Sequence, residues 1–418
     1  RIDNIMVIGN AKLNNLFLQR YLNLPNGSTY SKQKLKAVSK KLEGLAFLEE
    51  EKPSDLTLSG TGSVLNVYLK SVRNSQINAL IGFLPNPIGS GGKAFRVAGE
   101  ANILLRNALG SGEIIGVNAQ WLQAQSPRLN LLYEQPYVFR SPFGLSFNFD
   151  MFRKDSTFLN INLRLGATSG AGETQNSTLF VQRSQSIVSG INTAQVLSSK
   201  QLPVEADVSA TGLGLIHQFY NTDYRPNPLR GNEFIITTSA GTKRIKKNNQ
   251  VLELKDPNNP SFRYDRLYDT VKLKTYQFRV AVAAAHFFKT GKQTTVKSGI
   301  QTGLFSSGNV FRNEVFRIGG YKLLRGFDEE SQYVSQYAVG TLEYRILLQR
   351  ASNFFAFVDG GAGRNLDKRI NTYLGTGLGI SSETAAGIFN LVWAIGKRND
   401  TQFNLRQSKV HLGFINYF

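Results

Sequence analysis

Apolar and polar residues alternate along most of the chain, from about residue 75 to residue 418. The segment TFLNINLRLGA, residues 157–167, places four aliphatic side chains on one face and two asparagines and an arginine on the other. Because the side chains of a β-strand alternate between the two faces of a sheet, this pattern predicts strands with one apolar and one hydrated face. The pattern recurs in PFGLSFNFDMF, NEFIITTSAG, TVKLKTYQFRVAVAAA, YAVGTLEYRILL and VHLGFINYF.

Alternation by itself fits two architectures, a soluble β-sandwich and a membrane β-barrel. Three features favour the barrel: the number of alternating segments, the aromatic residues near their ends, and Phe418, which closes the last segment without a tail. About 21 residues for each strand and its connection would divide the residues after 73 into roughly 16 strands, the even number that bacterial barrels have. The predicted fold class is mainly β, with a transmembrane antiparallel β-barrel of about 16 strands over residues 74–418.

The first 73 residues follow a different pattern. An alternating segment, IDNIMVIGNA, precedes two segments with apolar residues at helical spacing, KLNNLFLQRYLNL and YSKQKLKAVSKKLEGLAFL. Two further alternating segments follow, SDLTLSG and SVLNVYLKSV. Residues 1–73 are therefore predicted to form a small soluble α+β domain of order β-α-α-β-β with one modest core.

Composition narrows the class of protein further. No window reaches the roughly 18 consecutive apolar residues of a membrane helix, which excludes a helical membrane protein. The chain has no cysteine, so disulfides and cysteine-ligated zinc are excluded as well. The given sequence begins at Arg1 rather than at a methionine, and its first residues show no signal-peptide pattern. We expect that a leader or further domains have been removed.

The formal net charge of +20 fits three kinds of partner. Clustered lysine and arginine would indicate nucleic-acid binding, but here the basic residues are scattered through turns and strands, and we expect no nucleic-acid partner. A basic surface beside anionic lipid or lipopolysaccharide fits the same charge, and so does a basic pore lining. The net charge leaves these last two open.

Sequence signals for catalysis are weak. His217, His286 and His411 are far apart in the chain, and neither an HExxH nor a GxSxG motif occurs. The glycine-rich GSGGKAF at 89–95 lacks the spacing of a phosphate-binding loop, and GTGLG at 375–379 is followed by no helical pattern. We predict that the protein is not an enzyme and has no cofactor and no metal site.

One segment places a single arginine among apolar residues and glycines. GGYKLLRGFDEES, residues 319–331, reads as the tip of a long inter-strand loop around 317–335, and its Arg325 offers five fixed hydrogen-bond donors. In FFAFVDGGAG, Asp359 shares a face with Phe357 and would point into the barrel if Val358 faced outward. Arg325 and Asp359 could then pair inside the barrel. The alternative is that Arg325 is a solvated loop residue and Asp359 a turn former.

These two segments resemble the paired signature of the superfamily of outer-membrane assembly and translocation barrels that includes BamA, TamA and the two-partner-secretion transporters. In that family a [VIL]-R-G-[FY] loop tip enters the barrel and contacts an F-x-D-x-G strand. The first element is similar to Leu324, Arg325, Gly326 and Phe327, and the second to Phe357, Asp359 and Gly361. The resemblance implies that Arg325 fixes an inward-folded loop in the lumen.

The resemblance covers nearly the whole chain. NPLRGNEFIITTSAG, at 227–241, resembles the family's P-x-x-G strand opening, GTGLGISSETAAGIFNLVWAIG resembles its penultimate strands, and residues 1–73 are similar to one POTRA domain. The chain departs from the family at two places. SSETAAG replaces the usual S-P-x-G-P turn, and Asn416 occupies an apolar position of the terminal strand.

The resemblance implies a barrel in the bacterial outer membrane with its POTRA domain in the periplasm. Such a barrel would insert other polypeptides into the membrane without using a nucleotide. Its lateral seam would join residues 76–83 to residues 410–418, and unpaired backbone groups at the open seam would template an incoming strand. The expected seam residues are Gln76, Asn78, Leu80, Gly413, Phe414 and Phe418. The expected partners are unfolded outer-membrane or secreted client polypeptides, outer-membrane lipid or lipopolysaccharide, and periplasmic or lipoprotein accessory subunits bound through the POTRA domain.

Three other functions stay open at this stage. A two-partner secretion pore would pass one extended client through the lumen and should conduct ions when the loop is loosened. A passive porin would conduct steadily without residues 1–73 and would leave the arginine and aspartate elements unexplained. The chain could also be the membrane carrier of a domain fused before Arg1.

Overall fold

The computed structural model describes residues 1–417, apart from residues 30, 46, 60–61, 86–94, 124–125, 170–173, 225–226, 257–258, 350 and 385–386. Some sequence predictions concern residues that the structure does not describe. These residues are Phe418, most of the 89–95 glycine-rich turn and part of the SSETAAG turn. Within the described part, no helix has both the length and the apolar character that a membrane crossing requires.

The N-terminal domain has the order β-α-α-β-β. Its elements are β1 (Asn4–Ile8), α1 (Asn15–Leu22), α2 (Lys32–Leu42), β2 (Leu48–Ser59) and β3 (Gly62–Ser71). Strand β3 is central, parallel to β1 and antiparallel to β2. The inward side chains of β3, Leu65, Val67 and Leu69, are fully buried against α1 and α2. The apolar faces read from the sequence thus meet in one core, which supplies most of the stability of so small a domain.

Helix α1 shows why this domain folds where it does. The Asn14 side chain accepts a hydrogen bond from the Leu16 backbone N–H and caps the helix start. The helix ends at Asn23, which adopts the left-handed conformation and donates its N–H back to the Arg20 carbonyl. Leu18 and Leu22 then point into the core from one side of the helix.

The rest of the chain forms a closed antiparallel barrel of 16 strands, which confirms the predicted fold class. The strands are β4 (Gln76–Pro85), β5 (Phe95–Arg106), β6 (Ile114–Gln123), β7 (Ser126–Gln135), β8 (Phe143–Lys154), β9 (Phe158–Ser169), β10 (Gln175–Val188), β11 (Asp207–Tyr220), β12 (Gly231–Lys246), β13 (Lys274–Lys289), β14 (Thr294–Ser307), β17 (Gln336–Leu347), β18 (Asn353–Arg364), β19 (Ile370–Thr384), β20 (Gly387–Arg398) and β21 (Lys409–Tyr417). The last strand pairs with the first, so the sheet has no open edge.

Alternation sorts the barrel residues into an outer and an inner face. On β9, Leu163 and Leu165 are exposed on the outside, whereas Arg164 points inward and helps to line a luminal cavity. On β18, Val358 is exposed and Asp359 is buried. The outer face is apolar and the inner face polar, as a barrel in lipid requires.

The barrel strands differ in length, and the long ones include β19 with 15 residues. Strands β10 to β14 have 14 to 16 residues, whereas β4 has 10 and β21 has 9, the shortest barrel strand in the described part of the chain. Over the described residues, the ladder that closes the barrel registers eight residue pairs, as do the β5–β6 and β7–β8 ladders.

Three long connections lie at the end of the barrel opposite the N-terminal domain. The first carries α3 (Thr193–Ser199), and the second carries α4 (Asn249–Leu252) and a 3-10 helix (Tyr264–Thr270). These two pack together through Val196, Val251 and Tyr264. The third, residues 308–335, joins β14 to β17 and contains a 3-10 turn (Arg312–Glu314) and the hairpin of β15 (Phe316–Ile318) and β16 (Gln332–Val334).

Candidate functional site

The connection between β15 and β16, residues 319–331, folds back against the inner wall of the barrel and is called the inner loop below. Its backbone depends on glycine: Gly319, Gly320 and Gly326 have φ of +112°, +109° and +92°. A Cβ added at Gly326 would collide with the backbone of Ile395 on β20. Glycine thus lets the loop backbone lie directly on the wall.

A second close approach comes from the wall itself. A Cβ added at Gly375, on β19, would collide with the carbonyl oxygen of Arg325. Leu324, one residue earlier, is 1 % exposed and packs with Val339 and Tyr373. The loop tip is seated by backbone contact and apolar packing before any charge is considered.

Arg325 is bound by two carboxylates of the wall. Its Nε donates to Asp359 Oδ2 and its Nη2 to Asp359 Oδ1, both at 2.9 Å, and its backbone N–H donates to Asp359 Oδ2 at 3.0 Å. Its Nη1 donates to Glu343 Oε2 at 2.6 Å. The guanidinium carbon lies 3.5 Å from the ring centroid of Phe357. A bidentate pair stacked on an aromatic ring fixes both the position and the orientation of the guanidinium.

The carboxylates have further partners. Thr341 Oγ1 donates to Asp359 at 2.8 Å, and Arg345 Nε donates to Glu343 Oε1 at 2.6 Å. Two arginines thus face two carboxylates, and Lys297 of β14 lies opposite Glu343 as a further cation. Burial alone would lower the pKa of Arg325, but the hydrogen bonds and charges of Asp359 and Glu343 outweigh it and raise that pKa.

The structure brings the sequence-predicted loop residues together at the wall of β17 to β20. Phe327 packs edge to face on Tyr373, with ring centroids 5.6 Å apart. Phe357 lies under the guanidinium, and Gly361 faces inward two residues after Asp359, where an added Cβ would come within 2.7 Å of the Ala338 carbonyl oxygen. The role of these residues as a loop lock stays a prediction.

Sequence reasoning missed the second half of this cluster. Glu343 and Arg345 both point inward from β17. The available signal was in YAVGTLEYRILL, where two opposite charges share the face of Val339. An ionic pair on the inner face of a strand indicates a partner in the lumen.

The hairpin that carries the inner loop is attached to another part of the wall. Lys243, a fully buried residue of β12, lies with its Nζ 2.6 Å from Glu314 Oε2. Asn313 donates to Ser186 Oγ at 2.5 Å and to the Ala206 carbonyl at 2.8 Å. The base of the hairpin is therefore held independently of Arg325.

The inner loop also contacts the strands on both sides of β4. Toward β21, Asp328 Oδ1 lies 2.8 Å from Lys409 Nζ, and the Tyr321 ring packs 5.6 Å from His411. Toward β5, Lys322 Nζ lies 2.7 Å from Glu100 Oε1. Further around the barrel wall, Arg128 Nη1 of β7 lies 2.5 Å from Glu330 Oε1 of the inner loop.

Five of the six predicted seam residues lie in the ladder that closes the barrel, and Phe418 is outside the described residues. Asn78 pairs with Ile415, Leu80 pairs with Gly413, and the ladder runs from Val410↔Phe83 to Tyr417↔Gln76, with Phe414 opposite Ala79. The histidines of the sequence analysis lie apart from one another, on β11, β13 and β21. Over the described residues, no group of three or more histidines and acids could hold a metal ion.

The N-terminal domain packs on the turn between β5 and β6. Asn14 N–H donates to the Gly110 carbonyl at 2.7 Å, and Asn107 Nδ2 donates to the Lys12 carbonyl at 3.0 Å. The ring of Phe17 lies 5.7 Å from that of Tyr137, in the turn after β7. The domain is therefore docked at the barrel end where β4 begins.

A family model described as the Omp85 superfamily domain matches residues 107–410. Of the solved structures, BamA from Haemophilus ducreyi lacking POTRA domains 1-3 superposes with a TM-score of 0.59 at 14 % identity, covering 99 % of this chain and 84 % of that one. CdiB from Acinetobacter baumannii gives 0.61 at 13 % identity, covering 100 % and 74 %. CdiB from Escherichia coli gives 0.57 at 11 %, covering 99 % and 76 %. At these identities the likeness concerns the fold, and none of the curated proteins matches the chain significantly in sequence.

Proposed function

The chain belongs to the Omp85 superfamily, and from this premise we propose that it inserts outer-membrane proteins through the ladder between β4 and β21. An Omp85 barrel is an assembly or translocation barrel of the bacterial outer membrane. The proposal concerns the route: strands β4 and β21 separate, and their unpaired N–H and C=O groups template a strand of the client.

The contacts of the inner loop on both sides of β4 are the observation that carries this proposal. Arg325 holds the loop on β17 and β18, Asp328 reaches β21, and Lys322 reaches β5. The loop therefore bridges the closing ladder from inside the barrel. Release of the loop would remove these bridging contacts from β21, the shortest barrel strand in the described part of the chain.

The N-terminal domain is proposed to be a POTRA domain in the periplasm. Its β-α-α-β-β order and its docking on the turn between β5 and β6 support this placement. From there it would receive client polypeptides and bind periplasmic or lipoprotein accessory subunits. The apolar outer face of the barrel would contact outer-membrane lipid.

A cysteine pair across the closing ladder tests the route. Asn78→Cys with Ile415→Cys joins directly paired positions, and the chain contains no other cysteine. Client insertion into liposomes is measured with the pair oxidised and again after reduction. We expect the disulfide to abolish insertion and reductant to restore it.

A matched control pair separates this effect from general stiffening. Leu213→Cys with Ala240→Cys locks the β11–β12 ladder, on the other side of the barrel. The oxidised control should insert clients as the unmodified chain does. Full insertion with the closing ladder locked would instead show that clients do not pass through it.

A secretion pore of the two-partner type is the second candidate. It is favoured by a polar cavity of about 200 Å³ beside the loop hairpin, which shows that the lumen is not completely filled. This function requires passage through the lumen, so it predicts ion conductance that rises when the inner loop is released. An insertase that works through the ladder does not require that rise.

A further inference from the structure

The luminal cavity of about 200 Å³ lies between the hairpin that carries the inner loop and the inner wall of β8 to β14. Three arginines line it from three different elements: Arg164 of β9, Arg279 of β13 and Arg317 of β15. Its other polar lining consists mainly of amides and hydroxyls, among them Asn162 and Gln182. The cavity is therefore rich in hydrogen-bond donors.

The carboxylates of the cavity are already neutralised by cations from outside it. Asp150 is bound by Arg128 Nε at 2.9 Å, and Glu314 is bound by Lys243 at 2.6 Å. Arg317 Nε lies 3.3 Å from Glu330 Oε2, whereas over the described residues neither Arg164 nor Arg279 forms an ion pair with a carboxylate. The cavity thus keeps an excess of positive charge, which is costly in a confined space unless an anion balances it.

Aromatic rings hold the three guanidinium groups in place. Arg164 lies over Phe180 at 5.2 Å, Arg279 over Phe305 at 4.5 Å, and Arg317 over Phe152 at 3.4 Å from the ring centroid. Stacking fixes the plane of each guanidinium. Part of two of the edges is already used, because Arg279 Nη2 donates to the Glu314 carbonyl and Arg317 Nε faces Glu330. Within the described part of the chain, Arg164 Nε and Arg317 Nη1 are buried and have no hydrogen-bond partner.

We propose that this cavity is a binding site for a compact oxyanion, a carboxylate or a phosphate, held by Arg164, Arg279 and Arg317. Fixed guanidinium edges match the paired oxygens of these groups, and the amides of Asn162 and Gln182 add donors. Two sources have this chemistry: free phosphate, and an acidic side chain of a polypeptide in the lumen. The site does not depend on whether the ladder between β4 and β21 opens.

Calorimetric titration of the full chain in detergent tests the site, with inorganic phosphate as the probe and chloride at the same ionic strength as the reference. We expect one saturable site for phosphate. Arg164→Gln and Arg279→Gln should each weaken binding by at least about tenfold, because each removes charged hydrogen bonds. Arg183→Gln, which removes the same charge from the exposed face of β10, should leave binding unchanged.

The barrel fold of each variant is checked by its resistance to unfolding in detergent on a gel. Arg164 has no ion pair to lose, so Arg164→Gln should stay folded. Phosphate binding that survives in both cavity variants, or that falls equally in Arg183→Gln, overturns the proposal, and so does the absence of saturable binding.

A competition experiment identifies the source of the oxyanion. The probes are a short capped peptide with one central glutamate and its glutamine counterpart. Displacement of phosphate by the glutamate peptide alone supports a site for acidic side chains of a client. Phosphate binding without displacement supports a site for free phosphate and overturns the polypeptide source.

Discussion

Arg325 and Asp359, 34 residues apart in the chain, form a bidentate ion pair in which Nε and Nη2 each lie 2.9 Å from a carboxylate oxygen. The pair joins the tip of a loop to the middle of a barrel strand. Because both side chains are buried, neither charge can be solvated by bulk water when its partner is removed. The loop and the wall are therefore energetically coupled.

The first prediction follows from that coupling. Arg325→Ala leaves two carboxylates, Asp359 and Glu343, buried beside a single arginine, and breaking a buried pair in this way costs about 3–5 kcal/mol. We expect the inner loop to leave the wall and to become sensitive to protease in detergent. Arg369→Ala, which removes an exposed arginine of the connection between β18 and β19, is the control. Equal protease resistance in the two variants would show that Arg325 does not lock the loop.

A second prediction concerns the close approach at Gly326. Its φ of +92° disfavours any other residue, and a Cβ would collide with the β20 backbone. Gly326→Ala should destabilise the docked loop by about 1–3 kcal/mol and increase cleavage within residues 319–331. Gly360→Ala is the matched control, since a Cβ there meets nothing within 4 Å. If both variants are cleaved at the rate of the unmodified chain, the loop does not need this contact.

Charge reversal tests the contact between the inner loop and the last strand. Lys409→Asp places an acid beside Asp328 and should destabilise the closing ladder by about 1 kcal/mol, a typical value for one ion pair. The rate at which the Asn78→Cys and Ile415→Cys pair oxidises reports on ladder closure and should fall about fivefold. Adding Asp328→Lys should restore the rate.

Lys322→Glu serves as the comparison on the β5 side of the ladder. Lys322 is largely exposed, so its contact with Glu100 is screened by water and reversal should change the oxidation rate by no more than about twofold. If the variant that combines Lys409→Asp with Asp328→Lys forms the disulfide as slowly as Lys409→Asp alone, the loop does not act on the ladder through Asp328.

Glu329 predicts a pH dependence of loop docking. Burial is the largest cause that raises the pKa of this carboxyl to about 7 from its ordinary 4.5. The nearby carboxylates of Glu330 and Glu100 also raise this pKa. The hydrogen bond from the Tyr321 N–H and the charge of Lys322 lower it and oppose the shift. A raised pKa means that the docked loop favours the protonated form. Docking is therefore strongest below pH 4.5 and weakens as the pH rises through about 7.

Protease protection of the inner loop between pH 5 and pH 8 measures this effect. Glu329 is half-buried, so we expect a loss of about 2 kcal/mol over that range after allowing for solvent screening. Glu329→Gln mimics the protonated acid and should stay protected at pH 8. A Glu329→Gln variant with an unchanged pH profile would assign the dependence to another group.

The strands and their inward and outward faces follow from the sequence by itself. A period of two is a local property, so Leu163 outside and Arg164 inside can be read from one short segment. The spacing of the strands along the chain gives their approximate number, roughly 16. The pairing of Arg325 with Asp359 was one of two interpretations that the sequence left open, the other being a solvated Arg325, and the second inward-facing acid, Glu343, was missed.

The tertiary structure alone decided which distant charges meet. Lys322 reaches Glu100 across 222 residues, and Asp328 reaches Lys409, because the barrel closes and the inner loop crosses its lumen. The excess charge at Arg164 and Arg279 also depends on which carboxylates are already paired with Arg128 and Lys243. Alternation tells which side chains face the lumen, whereas their partners there depend on strand register, barrel closure and the path of the loop.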